Sequence, residues 1–132
     1  MYPELLKVKL LYSPAKAPSK GHANDAGWDL YASSDVSIPS GQTVLVNTGI
    51  AISIPKGYAG LIWDRSSGVI DSGYTGEVKV CLNNTTKETY HIQKGDRIAQ
   101  MLIHKMPDFN IYLVDDLGSS EREDGGFGST GK

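Results

Sequence analysis

Apolar and polar residues alternate along this chain in short runs punctuated by Gly and Pro, and a period near 3.6 residues is nearly absent. Leu5 to Leu11 interleaves lysine with apolar side chains, residues 43–54 are rich in β-branched residues, and residues 77–82 read Glu-Val-Lys-Val-Cys-Leu. Each run predicts a strand, because successive side chains of extended backbone point to opposite faces and branched side chains suit a pleated surface. Segments 13–18, 39–41, 55–57 and 93–96 carry Pro, Gly, Ser and Asp in turn-forming combinations. Short strands at this spacing predict an all-β fold with little helix, a sandwich or barrel of jelly-roll type. No internal repeat is visible.

Length narrows the picture to one domain: 132 residues can bury a core, yet are few enough that self-association would add stability. Lys and Arg number 13 against 15 Asp and Glu, a formal charge of −2, so the basic excess of a nucleic-acid surface is lacking and no nucleic-acid partner is expected. The single cysteine, Cys81, excludes an internal disulfide and fits a buried strand position in a reducing compartment. No charged-then-apolar leader and no bilayer-length apolar run is present, so an intracellular protein, cytoplasmic or nuclear, without membrane attachment is expected. The sequons at Asn83 and Asn84 are then chance features of a polar turn. His22, His91 and His104 are too scattered to suggest a zinc set.

Three places carry candidate chemistry. Residues 122–132 combine Arg122 and Phe127 with glycines and the hydroxyls of Ser129 and Thr130. Such a segment can wrap an anion with backbone N–H groups and lay an aromatic face on a planar ring, or it can be an ordinary polar chain end. Arg65-Ser66-Ser67 offers a guanidinium and two hydroxyls to phosphate, against the plainer reading of a surface pair between Arg65 and the adjacent Asp64. Gly68 to Gly76 reads as two strand edges around an Asp-Ser-Gly turn, a hairpin whose backbone can read the hydrogen-bonding edge of a base. Asp71 can orient and activate a water there and Tyr74 can lie against a sugar, or Asp71 is a turn former and Tyr74 a half-buried strand aromatic.

Five patches, in this order, make the chain similar to the homotrimeric dUTPases: Ala26-Gly27-Trp28-Asp29-Leu30-Tyr31-Ala32, Arg65-Ser66-Ser67, Gly68 to Gly76, Gly95-Asp96-Arg97-Ile98-Ala99-Gln100, and Arg122 to Gly131. The resemblance implies a distorted jelly-roll β-barrel over residues 1–117, a flexible glycine-rich flap over 118–132, and active sites shared between subunits of a trimer. It implies hydrolysis of dUTP to dUMP and diphosphate by water attack on the α-phosphate, which limits uracil incorporation into DNA and supplies dUMP for dTMP synthesis. Asp71 would hold that water, Tyr74 would support the deoxyribose, and the backbone around Gly68, Ile70 and Tyr74 would recognise uracil. Arg65, Ser66, Ser67 and Gln100 would hold the phosphate chain; Arg122, Gly128, Ser129 and Thr130 would bind its far end, and Phe127 would cover the base. Mg2+ would ride chiefly on the phosphates without direct protein ligands, with Asp29 near it through water, and Arg97 would serve structure. A non-catalytic nucleotide-binding relative and a dCTP deaminase are the alternative readings.

The chain departs from that pattern in three places. Gly68 follows Ser67 at once, where the family places a short helix and a strand; Asp64 precedes Arg65; and Glu123 follows Arg122, where family members usually carry glycine. A glutamate beside the terminal phosphate is expected to weaken triphosphate binding.

Overall fold

The structure, a computed structural model, describes residues 5–63, 68–122 and 124–125. Nine strands are present among them and no helix. They form three sheets. β1 (Lys7–Leu10), β4 (Thr43–Ser53) and β7 (Glu77–Asn83) make one, in the order β1-β4-β7. β2 (Trp28–Tyr31), β9 (Arg97–Lys105), β5 (Tyr58–Trp63) and β6 (Gly68–Asp71) make the second, in that order, and β3 (Val36–Ile38) pairs with β8 (Tyr90–Ile92) in the third. Every pairing is antiparallel. The all-β jelly-roll expectation stands, built from separately bonded sheets rather than one closed ladder.

The two larger sheets face each other across the main core. Ile50, Ile52, Val78 and Val80 from one meet Leu30, Ile62, Ile70 and Met101 from the other, all nearly sealed from solvent. Burying each such side chain stabilises the fold by roughly 1.5–3 kcal/mol, so the alternation along β4 and β7 fixes which face turns inward. A smaller cluster of Ala32, Ile38, Val46 and Ile92 closes the end covered by β3 and β8.

The long connection between β1 and β2 is strapped to the body. Ser19 exchanges backbone hydrogen bonds with Asp29 on edge strand β2 (2.6 and 3.3 Å), Lys16 lies over the Tyr31 ring and Lys20 over Trp28. At the start of this strap the Tyr12 hydroxyl donates to Glu77 Oε2 at 2.7 Å and lies 3.0 Å from Ser33 Oγ. The Gly49 N–H donates to the same Glu77 oxygen at 2.9 Å, at the register shift of the β4–β7 ladder.

Candidate active site

Residues 68–76 do not form the expected hairpin. β6 pairs with β5 and β7 pairs with β4, so the turn between them joins two different sheets. The Tyr74 N–H donates to the Asp71 carbonyl (3.2 Å) and Gly73 takes φ +93°, a conformation that costs a residue without a side chain little. Because β6 and β7 are each the last strand of their sheet, both leave an outer backbone edge without a ladder partner among the described residues where they meet. A cavity of about 240 Å³ lies at this seam, lined by Gly68, Ile70, Asp71 and Tyr74 together with Glu77 and Lys79. The Tyr74 hydroxyl donates to the Glu77 carbonyl at 2.8 Å, which fixes the ring as one wall.

A second polar cluster is set by register on sheet β2-β9-β5-β6. Asp29 on β2 is paired with Gln100 on β9, which is paired in turn with Trp63 on β5, so the three side chains share one row on the outer face. Asp29 Oδ2 lies 3.7 Å from Arg97 Nη1, and Asp29, Arg97 and Gln100 border a cavity of about 410 Å³. The turn at 93–96 aims this corner: Asp96 Oδ2 accepts from the Gln93 N–H, and Gly95 and Asp96 exchange backbone bonds with Ala32. Among the described residues no three His, Cys, Asp or Glu side chains converge as a metal-ligand set.

The two clusters occupy opposite ends of β5. Asp71 is paired with Ala59 and Gln100 with Trp63, four residues apart, and β6 and β9 flank β5 on opposite sides. The separation is therefore about 13 Å along the strands and about 10 Å across them. Between the clusters the same face carries an apolar row, Leu102-Leu61-Val69, with Val69 64% and Trp63 58% exposed.

The structure thus gathers Gly68, Ile70, Asp71 and Tyr74 in one cavity and places Gln100 with Asp29 and Arg97 in another. Arg122 is exposed and lines neither. Arg65, Ser66, Ser67, Phe127, Gly128, Ser129 and Thr130 lie outside the described residues. Sequence reasoning missed Glu77 and Lys79, whose alternate spacing at the start of a strand beside Gly76 was the available signal. A larger cavity, about 610 Å³ between β7, β8 and the start of β9, shares only Arg97 with the candidate set. Convergence of chemistry, not volume, therefore marks the site.

Comparison with known proteins identifies the family. The dUTPase family model matches residues 13–131. The deoxyuridine 5'-triphosphate nucleotidohydrolase of Saccharomyces cerevisiae is 43% identical, the match covering 97% of this chain and 95% of the yeast protein. That of Clostridioides difficile is 42% identical over 96% of this chain and 97% of its own. Among solved structures, the Staphylococcus bacteriophage 80alpha dUTPase with dUPNHPP superposes with a TM-score of 0.88 at 31% identity, covering 98% of this chain and all of that one. A variant dUTPase of phage phi11 of S. aureus, described with a structural Mg(II) ion, gives 0.81 at 27% identity over 88% of this chain and all of its own. The yeast alignment runs over 140 positions against 132 residues here, so at least 8 positions find no residue in this chain. The chain belongs to the dUTPase family.

Proposed function

We infer that this chain hydrolyses dUTP to dUMP and diphosphate, keeping uracil out of DNA and supplying dUMP for dTMP synthesis. The observation that carries the reading is the seam cavity, where free backbone edges, Tyr74 and Asp71 surround one small space. Backbone N–H and C=O groups of β6 suit the edge of uracil, which offers acceptors and one donor. The Tyr74 ring, held by its bond to the Glu77 carbonyl, suits the face of a deoxyribose and would crowd an added hydroxyl. Asp71, which lines this cavity, would take the proton of a water aligned on the α-phosphate as the oxygen attacks and diphosphate departs. Because the leaving group is a bound polyanion, positioning and charge neutralisation account for most of the rate.

The charge falls to Arg65, Ser66, Ser67 and Gln100 along the phosphate chain, and to Arg122, Gly128, Ser129 and Thr130 at its far end, with Phe127 over the base. Magnesium fits as an ion held by the phosphates: Asp29 is the carboxylate of the Gln100 cluster, and its pairing with Arg97 suits a contact through water. When bound, the ion offsets phosphate charge.

The spacing supports shared sites. A cavity of 240 Å³ is below the roughly 300–1,000 Å³ that encloses a whole small-molecule ligand, and Gln100 is too far from Asp71 for one phosphate chain to reach both within a subunit. A homotrimer resolves this by setting the Asp71 half of one copy against the Gln100 half of the next. The apolar row between the halves supports such docking, as does the segment after β9, where Phe109, Ile111, Leu113 and Leu117 are almost fully exposed. No helix among the described residues is long and apolar enough to cross a membrane, and intracellular action on a free nucleotide fits the substrate.

The test is product analysis with magnesium on dUTP, UTP and dCTP. Diphosphate and dUMP from dUTP alone support the reading; ammonia from dCTP would replace it with a deaminase, and tight dUTP binding without turnover with a regulatory binder.

A further inference from the structure

Gly27 is buried just before β2, and its backbone is outside the left-handed region, so no conformational demand explains a residue without a side chain. What explains it is Gln100. A Cβ added at Gly27 would stand 2.3 Å from the Gln100 Cγ, 2.5 Å from its Cδ and 2.8 Å from its Nε2. These distances run from the middle of the side chain to its amide, so relief would require the whole Gln100 side chain to leave its place rather than a flexible tip to turn. Gln100 is paired in register between Asp29 and Trp63, and the Asp29 backbone is bonded on its other side to Ser19, so a displaced Gln100 side chain would turn away from this row toward solvent.

We propose that Gly27 is a positioning residue for the reaction: the bare α-carbon is the bed on which the Gln100 side chain lies, and this directs its carboxamide into the cavity shared with Asp29 and Arg97. A carboxamide is a neutral donor that gains full strength toward phosphate only when its direction is fixed, since a rotated amide presents its oxygen to the anion instead. Gly27 touches no ligand and acts only through Gln100. The inference rests on the reading of Gln100 as a phosphate-chain ligand.

The experiment is a double-mutant cycle on dUTP hydrolysis by the full chain, with Gly27→Ala, Gln100→Ala and both together, and the thermal unfolding midpoint of each. Loss of a hydrogen bond to a charged group predicts a fall of about tenfold or more in kcat/KM for Gln100→Ala. Gly27→Ala is expected to fall by a similar factor, and the double variant to match Gln100→Ala within about twofold, because nothing remains to displace. Wild-type kcat/KM in Gly27→Ala, or an equal Gly27→Ala penalty with and without Gln100, would overturn the proposal while leaving the Gln100 assignment intact. An unaffected Gln100→Ala would overturn that assignment and the proposal with it. Should Gly27→Ala fail to fold, the double variant, freed of the overlap, is expected to fold; its failure would count against the proposal equally.

Discussion

Asp71 ends β6 at the seam between two sheets, with its carbonyl accepting the Tyr74 N–H and its carboxylate at the cavity. Asp71→Asn preserves shape and removes the proton acceptor. Turnover is expected to fall by about 10²–10⁴-fold while dUTP affinity, read by calorimetry, stays within a few-fold; wild-type turnover would remove Asp71 from the role given to it. Tyr12 shows a structural effect of the same kind. Its phenol is held above the ordinary value of 10.0 chiefly because it donates a hydrogen bond to the Glu77 carboxylate, with Ser33 opposing this and burial and the Glu77 charge adding to it. The neutral form is thus favoured in the fold, so this contribution is complete below the unfolded value and disappears as pH rises through the higher folded one. Tyr12→Phe is expected to cost up to about 1 kcal/mol near pH 7, discounted for partial exposure. The gap to the parent chain should close under strongly alkaline conditions, and a gap that widens there in unfolding curves would contradict this.

At the scale of elements, β1, β4 and β7 were legible because one face of each run is distinctly more polar than the other. β5 and β9 were not, because both their faces carry apolar residues: Ile62 and Met101 fill the core, while Leu61 and Leu102 form the outer row. Such strands lose the period-two signal. The 68–76 segment was legible as strand and turn but not in its partners, since β6 pairs back onto β5, which precedes it, and not forward across the local turn. The join between Ser67 and Gly68 has a clear consequence. Ile62 pairs directly with Gly68, so β5 and β6 are neighbours in a ladder with only five residues between these partners. The connection after β9, acidic over residues 112–123, also bares several large apolar side chains. The outer row gives the prediction that belongs here: Val69→Lys, which leaves the core untouched, is expected to lower the mass read by light scattering toward one subunit while circular dichroism stays all-β. An unchanged mass would place the subunit contact elsewhere.

For the whole molecule, the candidate site is a set of parts that one copy holds apart. The seam cavity suits a nucleoside, the Asp29–Gln100 corner suits phosphates, and the apolar row between them suits another subunit. The terminal segment should close over the result. Removing residues 122–132 is expected to suppress dUTP turnover by about 10²-fold or more, since enclosure and far-end phosphate contacts are lost, while the unfolding midpoint barely moves. Retained activity would exclude the flap. The most direct test of the shared site is complementation between Asp71→Asn and Gln100→Ala, co-expressed in one cell with distinguishable tags and purified as mixed assemblies. Each variant alone should be strongly impaired. If every site takes Asp71 from one copy and Gln100 from the next, each mixed trimer holds one site of full composition in three, and dUTP hydrolysis should recover to about a third. Mixed assemblies no more active than the average of the two parents would contradict the account, because both residues would then have to serve the same site from the same chain.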